Sequence, residues 1–409
     1  MPNEIVVDVK NNQIWVAFLE DEELAELCIE QTEHKEIVGN IYKGRVENVL
    51  PGMRAAFIDI GIGKNAFLYI GDALFDSDTE CEWEDGCGNS DIRGQDINQI
   101  LHVGQEIIVQ VIKDPIGTKG PRVTTNITLP GAALVLVPGN ECVFVSRRIE
   151  DEQEKERLSA IAEEIRPAGM GLIVRTAARG MQAKDFDKDI KMLMKLWGEI
   201  DKRKKKAGVP GILYEDYNLT FKIIRDALTS DIDKFIINDK NQYDEIIQFL
   251  SKTSPKLKSK IRLFDGDDDI FEYYGIIPQV GRVLARKVWL KCGGYIVIDR
   301  TEALTVIDVN TGKFVGKHTL EDTVLKTNID AAEEIAKQLR LRDIGGIIVI
   351  DFIDMRSEEH KQTVLDKLTT SLKKDRTKTA VMGFTSLGLV EMTRKKVRDN
   401  LAAMLNDVY

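Results

Sequence analysis

Leu304-Thr305-Val306-Ile307-Asp308-Val309-Asn310 and, further on, Ile347-Ile348-Val349-Ile350-Asp351-Phe352-Ile353-Asp354 are two apolar, β-branched runs that each reach an aspartate. Between them Leu325, Ile329, Ala332, Ala336 and Leu339 recur at helical spacing and make one apolar stripe. Thr319-Leu320-Glu321-Asp322 resembles a capping box at the front of that helix, and Gly345-Gly346 is expected to end it. This is a strand–helix–strand unit. If its strands are parallel neighbours, Asp308 and Asp351 fall at their C-terminal ends, the edge where open α/β sheets bind ligands. Adjacent strands lie about 4.8 Å apart, so the two carboxylates can share one hard cation. Magnesium typically takes one or two carboxylates and keeps several waters. Asn310 would project from the same face as Asp308 and can donate an amide hydrogen bond to it. A strand-end Asp read alone is more often a turn former or helix cap. Asp354, just before the helix expected to begin near Ser357, is read in that way.

The wider chain sets bounds on this reading. Its 409 residues are 43% hydrophobic and 30% charged, the balance of a soluble protein with two to four domains. No apolar run reaches the ~18 residues of a membrane span, and Met1-Pro2-Asn3-Glu4 does not open a secretory signal. A cytoplasmic location is expected. The cysteines, Cys28, Cys81, Cys87, Cys142 and Cys292, are odd in number and form no Cys-x-x-Cys pair, which argues against a disulfide framework or a thiolate zinc site. Cys81 and Cys87 read as free thiols of a surface loop.

The net charge of −10 argues against non-specific nucleic-acid binding, although a local basic groove remains compatible with it. Glu20-Asp21-Glu22-Glu23, Lys202-Arg203-Lys204-Lys205-Lys206 and Arg394-Lys395-Lys396-Val397-Arg398 each read as a solvated helix face.

From the N-terminus, residues 4–30 read as a β-meander turning at Asn11-Asn12. Short strands with Gly-containing turns from Gly39 to about Val111 suggest a small barrel. After Thr125, strands alternate with helices at about 151–165 and 183–206, an α/β unit. A second α/β unit runs from Gly275 and carries the aspartates. On the barrel, Phe57 and Phe67 fall in successive strands, with Lys43, Arg45 and Lys64 close in sequence. Aromatics on an open barrel face stack bases while basic side chains meet phosphates; for a lone Phe, core packing is the commoner role. Arg175-Thr176 ends an apolar strand and offers a guanidinium fork and a hydroxyl for a terminal phosphate.

Taken together, these segments resemble the catalytic region of the bacterial ribonuclease E/G family, on the side of its G branch. The resemblance covers nearly the whole chain. It rests on Asn40-Ile41-Tyr42-Lys43-Gly44, Ala55-Ala56-Phe57-Ile58-Asp59, Gly169-Met170-Gly171-Leu172-Ile173-Val174-Arg175-Thr176, Leu304 to Asn310, and the long run from Gln338 to Met355. It implies a multi-domain α+β chain: residues 1–35 and 221–283 a split ribonuclease-H-like scaffold, 36–125 an OB-fold RNA-binding barrel, 126–220 a 5′-phosphate sensor, and 284–409 a deoxyribonuclease-I-like catalytic domain. It also implies an endoribonuclease for single-stranded RNA, favouring 5′-monophosphorylated substrates. By analogy Asp308 and Asp351 hold Mg2+, for which Mn2+ can substitute, and Asn310 supports Asp308. Phe57, Phe67, Lys43 and Lys119 contact RNA. Gly131, Val135, Arg175, Thr176 and Arg147 form the pocket for the 5′ end. Lys378 stands where the family often carries an arginine and lacks its planar fork. Neither the Cys-pair zinc link nor the long tail of the E branch follows, so a homo-oligomer is expected without a zinc bridge. The rival readings are a non-catalytic OB-fold RNA-binding protein and a metal phosphoesterase acting on DNA or a small phosphate ester.

Overall fold

Thr305, Ile307 and Val309 are buried, while Val306, Asp308 and Asn310 point to the other side. That alternation sets which face of the sheet takes the core. In the computed structural model, which describes residues 3–31, 36–73, 97–115, 119–228, 232–266, 268–312 and 320–396, the chain divides into two compact units.

The first unit comprises Met1–Thr32, Asp231–Asp244 and Lys260–Tyr409. One of its sheets has six strands in the order Lys287–Trp289, Tyr295–Arg300, Leu304–Asn310, Gly346–Asp351, Val390–Arg394 and Thr379–Phe384. Only the Leu304–Asn310 and Gly346–Asp351 pair is parallel, joined through helix Leu320–Leu341. Ile296, Ile307, Ile348 and Ile350 pack against Ala332, Ile335 and Leu339 of that helix and Val364 and Leu368 of helix Glu358–Leu372. Both helices therefore cover one sheet face, and the aspartates lie on the other. The second sheet runs Ile261–Leu263, Lys234–Ile237, Asn3–Lys10, Gln13–Glu20, Glu23–Gln31. Its last three strands are the expected meander, and Asn11 and Asn12 turn between the first two of them at positive φ.

Three local expectations are corrected. The acidic run at Glu20–Glu23 is a second hairpin turn, with Asp21 and Glu22 at φ 55° and 66°, and not a helix face. The short side chain of Asp21 tolerates that backbone, and Glu20 pairs with Arg340 at 2.6 Å. The long helix ends at Leu341, before the glycines, because left-handed Asp343 (φ 47°) lets the Ile344 amide donate to the Leu339 carbonyl. Gly345 serves a close approach instead: a Cβ there would lie 2.7 Å from Lys396 Cα. Arg394 is not solvated. It sits in a strand, 4% exposed, donating to Asp375 at 2.7 Å and Asp343 at 2.6 Å. Thr319, Cys81, Cys87, Val397 and Arg398 lie outside the described residues.

The second unit comprises Glu33–Ser230 and Glu245–Ser259. Strands Ile41–Leu50, Ala55–Asp59, Ala66–Tyr69, Arg122–Thr124 and Glu106–Lys113 pair in that order, and the first also pairs with the last. This closes a five-stranded barrel consistent with an OB-fold. Gly44 lets the neighbouring strand pack closely, since a Cβ there would meet Ile58 Cγ2 at 2.7 Å. A four-stranded sheet, Val143–Val145, Met170–Val174, Leu134–Pro138 and Leu129–Pro130, packs with helices Glu152–Ile165 and Ala183–Lys206 through Leu158, Ala162, Phe186 and Leu193. Both helices fall where the sequence pattern puts them. Among the described residues no helix is long and apolar enough to cross a membrane.

Candidate active site

Asp308 and Asp351 are direct partners in the register of the parallel pair. The parallel pairing stops there: Gly346–Asp351 ends at Asp351 and Leu304–Asn310 runs only two residues past Asp308, so both carboxylates lie toward the C-terminal edge of the sheet, and both residues are exposed. Asn310, two residues on, donates from Nδ2 to Asp308 Oδ2 at 2.7 Å. This fixes one carboxylate oxygen and leaves the other available. The Asp351 carboxyl is pushed above its ordinary range, first by partial burial and then by the negative charges of Asp308 and Asp354. A cation at this edge would relieve that repulsion.

The segment after Asp351 is held from below. Asn328, wholly buried in the long helix, donates from Nδ2 to the Ile353 carbonyl at 2.8 Å and accepts from the Ile353 amide at 3.1 Å. Sequence reasoning missed this residue, because a polar side chain in a helix gives no local sign of the loop it clamps. Ser357 caps the following helix by accepting from the His360 amide, which leaves Asp354 exposed and uncapping. Among the described residues no group of three or more His, Cys, Asp or Glu could hold a metal. Two carboxylates side by side in register match the donor set of an ion that takes one or two carboxylates and keeps its waters. Hard oxygen donors favour magnesium or manganese over softer metals.

On the barrel, Phe57 and Phe67 are opposite each other on antiparallel strands, with ring centroids 5.9 Å apart in a T-shaped contact. Their neighbours Ala56, Ile58, Ala66 and Leu68 are buried in the barrel core. Both rings are therefore on the outer face and half-buried, not packed inside. Register extends this row to Asn48 on one side and to Arg122 and Lys113 on the other. The two basic residues had not been singled out from sequence. Lys43 pairs with Glu106 at 3.0 Å. Lys119 is exposed beside Gly120, which presses so closely on the Asn65 backbone that a Cβ would not fit.

The Arg175 group is also brought together. Its guanidinium donates to the Gly131 carbonyl and to Asp226 Oδ1, both at 2.6 Å. Asp226 is itself gripped by Arg225 at 3.0 Å; burial opposes its ionisation, but the two guanidiniums hold its carboxyl below the usual range. Thr176 Oγ1 lies 3.0 Å from Ser146 Oγ and the residue is exposed. Arg147 follows Ser146 on the surface, and Val135 pairs with Ile173. The loop at Gly131 is tied by buried Asp189, which accepts from the amides of Ala132, Ala133 and Leu134 at 3.1, 2.8 and 2.8 Å. A Cβ on Gly131 would stand 2.5 Å from that carboxylate. Asp189 and Asp226 have no sequence signature, because each acts on a segment distant along the chain. Lys378 belongs to the first unit and Arg175 to the second.

Fold and site together define an α/β protein that carries a carboxylate-edged sheet and, in a separate unit, a small closed barrel with an outward aromatic row. The model of the Ribonuclease E/G family matches residues 128–397. Ribonuclease G of Salmonella typhimurium (strain SL1344) is 44% identical over 405 residues, covering 99% of this chain and 82% of that protein. Ribonuclease G of Escherichia coli (strain K12) matches to the same extent. Ribonuclease E of a Nostoc species is 39% identical over 411 residues, all of this chain and 58% of that protein. The chain belongs to the ribonuclease E/G family.

Proposed function

We propose that this protein is a magnesium-dependent endoribonuclease acting on single-stranded RNA in RNA processing and decay, with a preference for 5′-monophosphorylated ends. The observation that carries the reading is the registered Asp308–Asp351 pair with Asn310 bound to Asp308, in a chain of the ribonuclease E/G family. Asp308 and Asp351 would hold the ion. Bound there, Mg2+ supplies an activated water and polarises a phosphoryl oxygen. Asn310 keeps the Asp308 carboxylate aimed at the sheet edge, and Asn328 keeps the segment after Asp351 in place. Cleavage leaves a 5′-phosphate and a 3′-hydroxyl.

In the second unit, Phe57 and Phe67 offer ring faces to bases, and Lys113 and Lys119 offer charge to the backbone, while Arg122 is held by Asp72 at 2.7 Å. Arg175 and Thr176, steadied by Gly131 and Ser146, would take the terminal phosphate. Arg175 spends two of its five N–H donors on Gly131 and Asp226, so a phosphate would meet the remainder.

The test is cleavage of a 5′-monophosphorylated single-stranded RNA with magnesium by Asp308→Ala and Asp351→Ala proteins. A loss of about a thousandfold is expected, corresponding to several kcal/mol of transition-state stabilisation. Undiminished cleavage by either variant overturns the reading. If the wild-type protein binds such RNA without cutting it, a non-catalytic barrel-based RNA binder replaces the reading.

A further inference from the structure

The outer face of the carboxylate sheet carries a second aromatic group. Lys287, Val297, Asp308 and Asp351 form one row across four strands, and Trp289, Tyr295 and Asn310 form the adjacent row. Residues opposite each other in neighbouring strands share a face. The alternate positions Ile296, Ile298, Ile307 and Val309 are buried in the core. Lys287, Trp289 and Tyr295 therefore lie on the side that bears Asp308 and Asp351.

Trp289 is 61% exposed on the edge strand. A large ring left mostly in water gains little from packing and is available for contact. It meets Tyr295 in a T-shaped arrangement with centroids 5.5 Å apart. Lys287 Nζ stands 4.2 Å from the Trp289 ring centroid and 3.5 Å from that of Tyr295. Ring surface combined with positive charge is what single-stranded nucleic-acid sites use, because every base has a π-face and every linkage a phosphate. Along its row Lys287 stands two strand spacings from Asp308, roughly 10 Å, a distance that neighbouring nucleotides span.

We propose that Trp289, with Tyr295 and Lys287, forms a stacking platform that holds a nucleobase of the RNA strand close to the phosphate being cut. Trp289 takes the base, Tyr295 braces the indole, and Lys287 steadies both rings and meets the backbone. The platform rests on the endoribonuclease reading above and adds a positioning role within the first unit, independent of the barrel aromatics.

The experiment compares wild type, Trp289→Ala and Trp289→Phe on a 5′-monophosphorylated single-stranded RNA and on a set in which one abasic nucleotide is moved along the strand. Cleavage is measured with magnesium, and binding by fluorescence anisotropy without divalent ion. Trp289→Ala is expected to raise KM about tenfold, the scale of one stacked base, with kcat within about twofold. Trp289→Phe recovers most of the loss. In wild type an abasic nucleotide at the platform position weakens binding, as it does at the positions that the barrel rings Phe57 and Phe67 take; in Trp289→Ala the platform position alone no longer matters. Melting temperatures stay matched across the three proteins. An unchanged KM overturns the platform, as does an abasic profile that survives in Trp289→Ala. Should wild type bind RNA without cutting it, the nuclease reading fails while the anisotropy profile still decides the platform. Should it neither bind nor cut, both fail.

Discussion

Asn310 donates from Nδ2 to Asp308 Oδ2 at 2.7 Å across two positions of one strand, so the residue that orients the carboxylate is carried by the strand that presents it. Removal of such an outer partner typically costs 10–100-fold in metal affinity or activity. Asn310→Ala is expected to cut RNA about tenfold or more slowly and to need more magnesium. A magnesium titration of the initial rate checks this; an unchanged half-saturating concentration would count against the positioning role.

Phe57 and Phe67 lie on the outer wall of the barrel, so their loss should affect RNA more than the fold. Phe57→Ala and Phe67→Ala are each expected to weaken binding of single-stranded RNA by about 1–3 kcal/mol, the scale for one base–aromatic stack. Anisotropy titrations give the size, and thermal melts separate it from unfolding.

Arg175 bridges the Gly131 carbonyl and Asp226 with two ends of one planar group. A lysine carries the charge but cannot span both partners. Arg175→Lys is expected to lower the ratio of cleavage rates on 5′-monophosphate and 5′-hydroxyl RNA about tenfold, with the rate on 5′-hydroxyl RNA little changed. A ratio equal to that of wild type would remove Arg175 from recognition of the 5′ end.

Glu154 gives a pH dependence with a defined sign. The Arg157 fork at 2.7 and 2.8 Å, followed by the Gly180 amide at 2.8 Å, lowers its carboxyl from 4.5 to about 2. The folded value lies below the unfolded one, so the unfolded chain binds more protons between them. The stabilisation is full above pH 4.5 and is lost as pH falls toward 2. Glu154→Gln should therefore melt below wild type at pH 7, and the gap should close as the buffer is acidified. A gap that stays constant down to about pH 2 contradicts the pairing.

Much of the carboxylate-bearing sheet is legible in the residues themselves. Thr305-Val306-Ile307 and Ile347-Ile348-Val349-Ile350 are β-branched runs separated by a helical apolar stripe, and the structure pairs them in parallel with the aspartates in register. The charged helices at 152–165 and 183–206 follow their patterns as closely. The failures have a common cause. An acidic run such as Glu20–Glu23 fits a helix face and a hairpin turn equally well by composition, and strand pairing on both sides decides for the turn. Arg394 looks solvated because its neighbours are lysines, yet the strand turns it inward to Asp375 and Asp343. Trp289 drew no attention, since its alternation with Lys287 spans only a three-residue strand.

What the sequence determined by itself is periodicity and type: which segments are strand or helix, which side of each is apolar, and which residues resemble those of the ribonuclease E/G family. These are local properties, readable from side-chain spacing. The tertiary structure alone decided register and partnership. It set Asp308 opposite Asp351, turned Phe57 and Phe67 outward, joined Arg175 to Asp226 across 51 positions, and aligned Trp289 with Tyr295 and Asn310. A shift of one residue in strand pairing would send the strand-borne side chains among these to the opposite face. Burial of one sheet face against helices Leu320–Leu341 and Glu358–Leu372 excludes that shift for Asp308 and Asp351, burial of Ala56, Ile58, Ala66 and Leu68 in the barrel core excludes it for Phe57 and Phe67, and no local stretch of sequence contains either constraint.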